Sequence, residues 1–151
     1  MSDERVVPTG LGPLDHVAIV VRDIDESLPR YQALFGMVAP DGVQVVTAQA
    51  VRICFLPTGP PPSARIELIQ PLDAESGVAR FLASRGEGLH HVCFGTSDLT
   101  AELDRLEAAG AELIDHAPRP GAEGPVAFVH PRTLNGVLWE LLQTGGPPED
   151  G

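Results

Sequence analysis

The sequence predicts an α+β domain built from two copies of a βαβββ module, in which a strand and a helix precede three further strands. Residues 14–18 match residues 89–93 at an offset of 75 residues, and residues 67–70 match residues 140–143 at an offset of 73 residues. Two blocks repeated in the same order at nearly the same spacing indicate a duplicated structural unit. The chain has 151 residues and is 43% hydrophobic, which suffices for one domain whose core both copies share.

The first copy is predicted over residues 13–70, behind a segment 1–12 whose prolines and glycines indicate a flexible N-terminal arm. Its helix is capped by Asp23 or Asp25, whose side chains can accept a backbone hydrogen bond, and is ended by Gly36. Alternating or β-branched segments predict strands, and a proline-rich turn separates the last two. These predicted strands span residues 14–21, 43–48, 51–56 and 64–69.

A connector with a short helix is predicted over residues 71–87, between the two copies. The second copy, residues 88–144, repeats the order of elements, with its helix capped by Ser97 or Asp98. Residues 145–151 are rich in glycine, proline and acidic side chains and predict a disordered tail. Extended segments of the second copy are predicted at residues 91–95, 112–114, 126–130 and 137–142, with a glycine- and proline-rich loop over an opening at residues 118–125.

The charge and the cysteine content restrict the classes of partner and the compartment. The formal net charge is −11 at pH 7, so a nucleic acid or an anionic membrane surface would repel the chain, and neither is an expected partner. Cys54 and Cys93 lie in apolar segments, where small buried thiols are common, and we expect them to be unpaired in a reducing setting. The polar segment 1–5 lacks the apolar core of a signal peptide, so a cytoplasmic location is expected.

Each copy carries a histidine in its first strand and a glutamate in its last, which gives the set His16, Glu67, His91 and Glu140. Taken singly, each residue is more often structural, as a satisfied core histidine or a charge at a rim. Both glutamates, however, stand between apolar residues of a predicted strand, where a carboxylate buried without a cation is costly. Imidazole nitrogens and carboxylate oxygens together suit a divalent metal ion, so the four residues predict a metal site.

Several motifs resemble the vicinal oxygen chelate superfamily and, within it, the methylmalonyl-CoA epimerases. They are QPL at 70–72 with ESGVARFL at 75–82, GEGLHH at 86–91, FVHP at 128–131 and GVLWEL at 136–141. The resemblance covers residues 14–143 and implies two βαβββ modules that form a cupped mixed sheet around a metal. It implies that His16, Glu67, His91 and Glu140 are the metal ligands and that His90 points away.

The resemblance also implies an activity, namely metal-dependent epimerisation of (2R)/(2S)-methylmalonyl-CoA. A proton is removed from the carbon α to the thioester, through a metal-stabilised enolate. Glu140 is the first candidate base and Glu67 the second, because Ile53 stands where some members carry an additional glutamate. Cobalt, manganese, zinc and nickel all suit the mixed ligands. An acyl-CoA substrate and a homodimer are the expected partners.

Polar residues outside the four are weaker candidates for substrate contacts. His130 is expected near the rim of the cup, in a structural role or as a substrate-binding residue. Arg52, Arg65 and Arg119 could contact the phosphates of coenzyme A, although solvated arginines are the commoner case.

Three other activities share the predicted scaffold. A glyoxalase I type lactoylglutathione lyase resembles the chain in using two histidines and two glutamates, but the connector at 73–88 favours the epimerase. A metal-free binding protein of the bleomycin-resistance type has no use for two inward carboxylates. An extradiol dioxygenase would bind iron with two histidines and one carboxylate, and Glu67 would then occupy a position needed by its substrates.

Overall fold

The structure, a computed structural model, describes residues 10–145. Most of the predicted N-terminal arm and of the predicted tail lies outside the described residues. Of the three described residues of the predicted arm, Leu11 and Gly12 already belong to the first strand and Gly10 precedes it. None of the helices between residues 10 and 145 is both long enough and apolar enough to cross a membrane.

The first module follows the predicted order of strand, helix and three strands, with a short 3-10 turn before the third strand. Its elements are β1 (Leu11–Val20), α1 (Ile24–Phe35), β2 (Gln44–Val46), β3 (Val51–Pro57) and β4 (Arg65–Pro71). The connector forms α2 (Gly77–Arg85), and the second module repeats the pattern. Its elements are β5 (Gly88–Thr96), α3 (Leu99–Ala108), β6 (Arg119–Pro120), β7 (Pro125–Val129) and β8 (Trp139–Gln143).

All eight strands belong to one sheet, in the order β2-β3-β4-β1-β5-β8-β7-β6. The first strands of the two modules, β1 and β5, pair antiparallel at the centre, and each also pairs in parallel with the last strand of its own module. The two halves of the sheet are therefore related by a pseudo-two-fold axis between β1 and β5. This arrangement confirms the predicted α+β fold with two βαβββ modules and a mixed sheet.

Equivalent hydrogen bonds hold the helix of each module against its sheet. Asp23 caps α1 and Asp98 caps α3, which settles the two alternatives that the sequence left open. Glutamines at the ends of the last strands supply a second contact. The side-chain oxygen of Gln70 accepts from the first N–H of α1 at 2.9 Å, and that of Gln143 accepts from the first N–H of α3 at 2.8 Å. Each helix start is thus tied to β4 or β8.

Apolar side chains pack on both faces of the sheet. One face of each half is covered by its helix, in clusters centred on Leu56 and Leu68 beneath α1 and on Leu103 and Leu141 beneath α3. On the opposite face, two smaller clusters leave the middle of the sheet open. They comprise Ala18, Val51, Ile53, Phe55 and Ile69 in the first module, and Cys93, Val126 and Leu142 in the second.

The second module departs from its predicted boundaries in two places. The predicted extended segment at 112–114 pairs with β7 through a single bridge, Leu113 to Val129, rather than as a full strand. Backbone hydrogen bonds from Ile114 N to Phe128 O and from His130 N to Glu112 O flank this bridge. The edge strand β6 forms instead within the segment 118–125, which the sequence assigned to a loop. The equivalent edge strand of the first module, β2, has three residues, so a short edge strand follows each helix at a different distance along the chain.

Candidate metal centre

The four predicted ligand residues lie on the four central strands and are all buried, with exposed fractions of 4–7%. In the register of the sheet, Glu67 and His91 are both neighbours of Ala18, whereas His16 and Glu140 are both neighbours of Cys93. Alternate residues of a strand share a face, so all four side chains point to the open face of the sheet. The duplicated fold thus assembles two histidines at the centre with a glutamate on each side.

The ligand atoms converge on a small volume. The His16 Nε2 atom lies 3.3 Å from Glu67 Oε1 and 3.2 Å from Glu140 Oε1. The His91 Nε2 atom lies 3.7 Å and 3.0 Å from the same two oxygens. One ligand atom each of His16, Glu67 and His91 can be chosen so that all three lie within 4.8 Å of one another, and Glu140 faces both rings.

Two small residues form the floor of the site. Ala18 and Cys93 occupy equivalent positions in the two modules, each two residues after a histidine, and both are fully buried. Each lies in the register between one histidine and one glutamate. Because their side chains point to the same face as the predicted ligands, small residues at these positions leave room between the neighbouring histidine and glutamate.

The site meets the chemical requirements of a cation site. Among the described residues, the buried Nε2 atoms of His16 and His91 make no hydrogen bond of regular geometry, although carboxylate oxygens lie 3.0–3.7 Å from them. Such orphaned nitrogens are rare unless a ligand or an ion completes them. Two imidazole nitrogens and two carboxylates are ligands that zinc, cobalt, manganese and nickel accept, so the residues present can hold a divalent ion.

The charges of the site also favour a cation. Burial alone would lower the pKa of His16, but the contacts of its ring with Asp15, Cys93 and the two glutamates outweigh burial and raise it. Burial alone would raise the pKa of Glu140, but the two imidazoles next to it hold it well below its usual range. The site therefore keeps the Glu140 carboxylate ionised and favours positive charge beside it, which either a proton on the ring or a bound cation can supply.

Asp15 orients the ring of His16. Its Oδ1 atom lies 2.7 Å from His16 Nδ1 and accepts a second hydrogen bond from Arg65 Nη2 at 2.8 Å. The contact with His16 and the neighbouring Arg65 lower the pKa of the Asp15 carboxyl, against the effect of its partial burial. A carboxylate at Nδ1 places the proton of a neutral ring there and leaves the Nε2 lone pair directed at the site, as metal-binding histidines usually require.

His90 plays the corresponding part for His91, although the sequence placed it on the other face of the sheet. The prediction that it points away is wrong because the register shifts between Ala18 and Ile19, so that His90 is an extra residue in β5. Its Nδ1 atom lies 2.8 Å from His91 Nδ1, and its ring packs edge-on against Phe81 of α2. Burial and the neighbouring His91 lower the pKa of His90 to about 4.

A cavity of about 530 Å³ opens above the four residues. Apolar side chains of both modules form most of its walls, including Val51, Ile53, Phe55, Val126, Phe128 and Leu142. The start of α2 and the loop 121–124 complete its rim. The cavity therefore combines apolar walls with the four polar side chains at its base and further polar groups, such as Arg119 and Glu123, elsewhere in its lining, which is typical of a small-molecule site.

The weaker sequence candidates have other partners. His130 does not line this cavity, since its Nδ1 atom accepts the N–H of Arg132 and begins a 3-10 turn. The geometry therefore gives its predicted substrate contact no support. Arg52 lies on the helix side, where it contacts Gln70 and Asp25. Arg119 does line the cavity, stacked on Phe128 at 4.8 Å from the ring centre.

The sequence reasoning missed the two residues that contact the imidazole Nδ1 atoms, Asp15 and His90. A signal for them was present, because each immediately precedes a predicted ligand histidine and the two align in the repeat. The equivalence of Asp15 and His90 was not evident from the sequence, because one is a carboxylate and the other an imidazole.

Comparison with known proteins agrees with this architecture. The family model described as the Glyoxalase/Bleomycin resistance protein/Dioxygenase superfamily matches residues 15–128. The ethylmalonyl-CoA/methylmalonyl-CoA epimerase of Cereibacter sphaeroides is 38% identical over 138 residues, which cover 88% of the chain and 98% of that protein.

Solved structures of related proteins also match. The methylmalonyl-CoA epimerase of Mycobacterium tuberculosis is 34% identical, with a TM-score of 0.80 over 91% of each chain. A variant of the Streptomyces coelicolor methylmalonyl-CoA epimerase, in complex with 2-nitronate-propionyl-CoA, is 32% identical, with a TM-score of 0.79 over 87% of this chain and 96% of that one. The resemblance drawn from the sequence motifs is confirmed, and the chain belongs to the Glyoxalase/Bleomycin resistance protein/Dioxygenase superfamily.

Proposed function

We propose that the chain catalyses the metal-dependent epimerisation of methylmalonyl-CoA at C2, the carbon between the thioester and the carboxylate. Its similarity to methylmalonyl-CoA epimerases over nearly its whole length identifies it as an epimerase. An acyl-CoA substrate is supported by relatives of that name and by a relative solved with 2-nitronate-propionyl-CoA. Homodimerisation stays a prediction.

One observation carries the proposal: two buried imidazoles with orphaned Nε2 atoms face two buried carboxylates at the floor of an apolar cavity. A purely structural cluster would close these contacts into regular hydrogen bonds, and a simple binding pocket would not bury two glutamates beside them. His16, Glu67, His91 and Glu140 are the proposed ligands. A divalent ion held there would act as a Lewis acid, which makes the C2 proton of the substrate more acidic.

The two carboxylates are the proposed acid–base pair. Epimerisation requires removal of the C2 proton from one face and its return to the other face of the planar enolate. Glu140 and Glu67 occupy equivalent positions on β8 and β4, on opposite sides of the two histidines. This placement supports Glu140 as the group that takes the proton on one side and Glu67 as the group that delivers it on the other.

Ile53 supports the same assignment by exclusion. It lines the cavity and is 1% exposed, but an aliphatic side chain cannot carry a proton. Together with Phe55 and Phe128, it forms an apolar part of the cavity wall beside the two glutamates, which leaves the carboxylates as the proposed proton carriers.

The test is proton exchange at C2 of methylmalonyl-CoA in deuterated water, with protein reloaded with Co²⁺. The glutathione hemithioacetal of methylglyoxal is run in parallel, because a lactoylglutathione lyase would turn it over. Ethylmalonyl-CoA forms a third arm, since one relative is named for both thioesters. The double variant His91→Ala with Glu140→Ala serves as the metal control.

Rapid deuterium incorporation with interconversion of the two epimers, lost on removal of the metal, is the expected result. Turnover of the hemithioacetal without exchange in either thioester would replace the epimerase with a lyase. An unchanged metal content in the double variant would refute the proposed set of metal ligands.

A further inference from the structure

We propose that Arg65 is a positioning residue that links the loop 121–124 at the cavity rim to the ring of His16. The inference rests on the proposed metal site, because its effect is measured as metal affinity. It concerns a contact between the two modules that neither the repeat nor the ligand set requires.

The first half of the link joins Arg65 to His16 by two routes. The guanidinium donates to Asp15 Oδ1 at 2.8 Å, and the same oxygen contacts His16 Nδ1 at 2.7 Å. The guanidinium also lies 3.9 Å from the centre of the Phe55 ring, which meets the His16 ring edge-on at 5.4 Å. Asp15 and Phe55 thus hold the imidazole from two sides, and Arg65 touches both.

The second half joins Arg65 to the loop. Its Nη1 and Nη2 atoms donate to the two carboxylate oxygens of Glu123, at 3.0 Å and 2.6 Å. Glu123 lies between β6 and β7 of the second module and lines the cavity beside Ala122. A bidentate pair of this kind fixes direction as well as distance. The loop is therefore anchored to the same guanidinium that holds Asp15.

The geometry makes loop position and ring orientation dependent on one side chain. The Asp15 side chain is 24% exposed, so without Arg65 its carboxylate is free to turn towards water. Its hydrogen bond with His16 Nδ1 would then be lost. Contacts that orient ligands from outside the coordination shell typically change metal affinity about 10- to 100-fold. A ligand that shifts the loop will change metal affinity through the same contacts, and by linkage the metal will change ligand affinity by the same factor.

The experiment is a Co²⁺ titration followed by ligand-field absorption, on the wild type, Arg65→Met, Glu123→Gln and the control Arg52→Met. Arg52 is a matched control, because its side chain is 25% exposed against 23% for Arg65 and it pairs with a carboxylate on the opposite face of the sheet. We expect Arg65→Met to weaken Co²⁺ binding about 10- to 100-fold and to change the absorption spectrum. Glu123→Gln is expected to weaken binding less and to raise KM more than it lowers kcat, whereas Arg52→Met leaves both unchanged.

Equal Co²⁺ affinity and equal spectra for Arg65→Met and Arg52→Met would overturn the inference. If Arg65→Met does not fold, Glu123→Gln becomes the test. A wild-type Co²⁺ affinity, absorption spectrum and KM in that variant would refute the proposed link between the loop and His16. The proposed function fails separately. If the wild type binds Co²⁺ but exchanges no C2 proton, the proposed epimerase activity is refuted and the proposed role of Arg65 is not affected. If the wild type is an active epimerase and Arg65→Met does not change its Co²⁺ binding, only the role of Arg65 is refuted.

Discussion

Asp15 and His90 occupy equivalent positions in the two modules, and each contacts the Nδ1 atom of the histidine that follows it, at 2.7 Å and 2.8 Å. The contacts match in geometry but not in charge, since one is made by a carboxylate and the other by an imidazole whose pKa is lowered to about 4. A carboxylate increases the basicity of the ring to which it is bonded, so the two histidines are unequal ligands.

Removal of the charge of Asp15 is expected to weaken metal binding. Asp15→Asn keeps an oxygen acceptor for His16 Nδ1 but no longer raises the basicity of the ring, and it also weakens the contact with Arg65. The expected loss is about 10-fold or more in Co²⁺ affinity, measured by competition with a chelator. His90→Asn, which replaces one neutral group with another, is the control, and an equal loss in both variants would contradict the inequality.

The equivalence of the modules could be predicted from the sequence, whereas the contacts between them could not. The pair His16 and Glu67 of the first module recurs as His91 and Glu140 at offsets of 75 and 73 residues. Their placement on one face of one sheet then follows from strand geometry. The bulge at His90 interrupts the alternation of side chains between the two faces of β5, and no residue type near it indicates a bulge. The pair of Arg65 with Glu123 joins residues 58 apart through a loop whose path depends on the completed sheet.

Gln70 and Gln143, which accept the first N–H groups of α1 and α3, are expected to contribute to stability in proportion to their burial. Gln143 is 9% exposed; it accepts from Leu99 N at 2.8 Å and donates to Ser97 O at 2.6 Å. Gln143→Ala leaves the buried N–H of Leu99 unsatisfied, which costs about 1–3 kcal/mol of unfolding free energy. The equivalent Gln70→Ala serves as the comparison, because Gln70 is more exposed. Urea denaturation checks both, and a larger cost at Gln70 would contradict the argument.

The buried thiol of Cys54 is expected to make stability fall at alkaline pH. Burial raises the pKa of Cys54 from 9.0 to about 11. Between pH 9 and pH 11 the unfolded chain therefore loses this proton while the folded chain keeps it, so the free energy of unfolding decreases across that interval. Cys54→Ala is expected to show a smaller decrease than the wild type in urea midpoints measured at both ends of the interval. Cys93, whose pKa burial raises to about 12, and Tyr31, whose pKa burial also raises, contribute to the part that remains.

Separate roles for the two carboxylates predict opposite stereochemical defects. If Glu140 and Glu67 serve opposite faces of C2, Glu140→Gln loses deuterium exchange from one epimer of methylmalonyl-CoA and Glu67→Gln loses exchange from the other. Interconversion of the epimers falls about 10²-fold or more in both variants, because it needs both groups. Glutamine retains an oxygen ligand, so Co²⁺ content measured on each variant separates loss of the base from loss of the metal. Loss of exchange from the same epimer in both metal-loaded variants would place the two carboxylates on one face, and the second base would then have to come from another residue of the cavity wall.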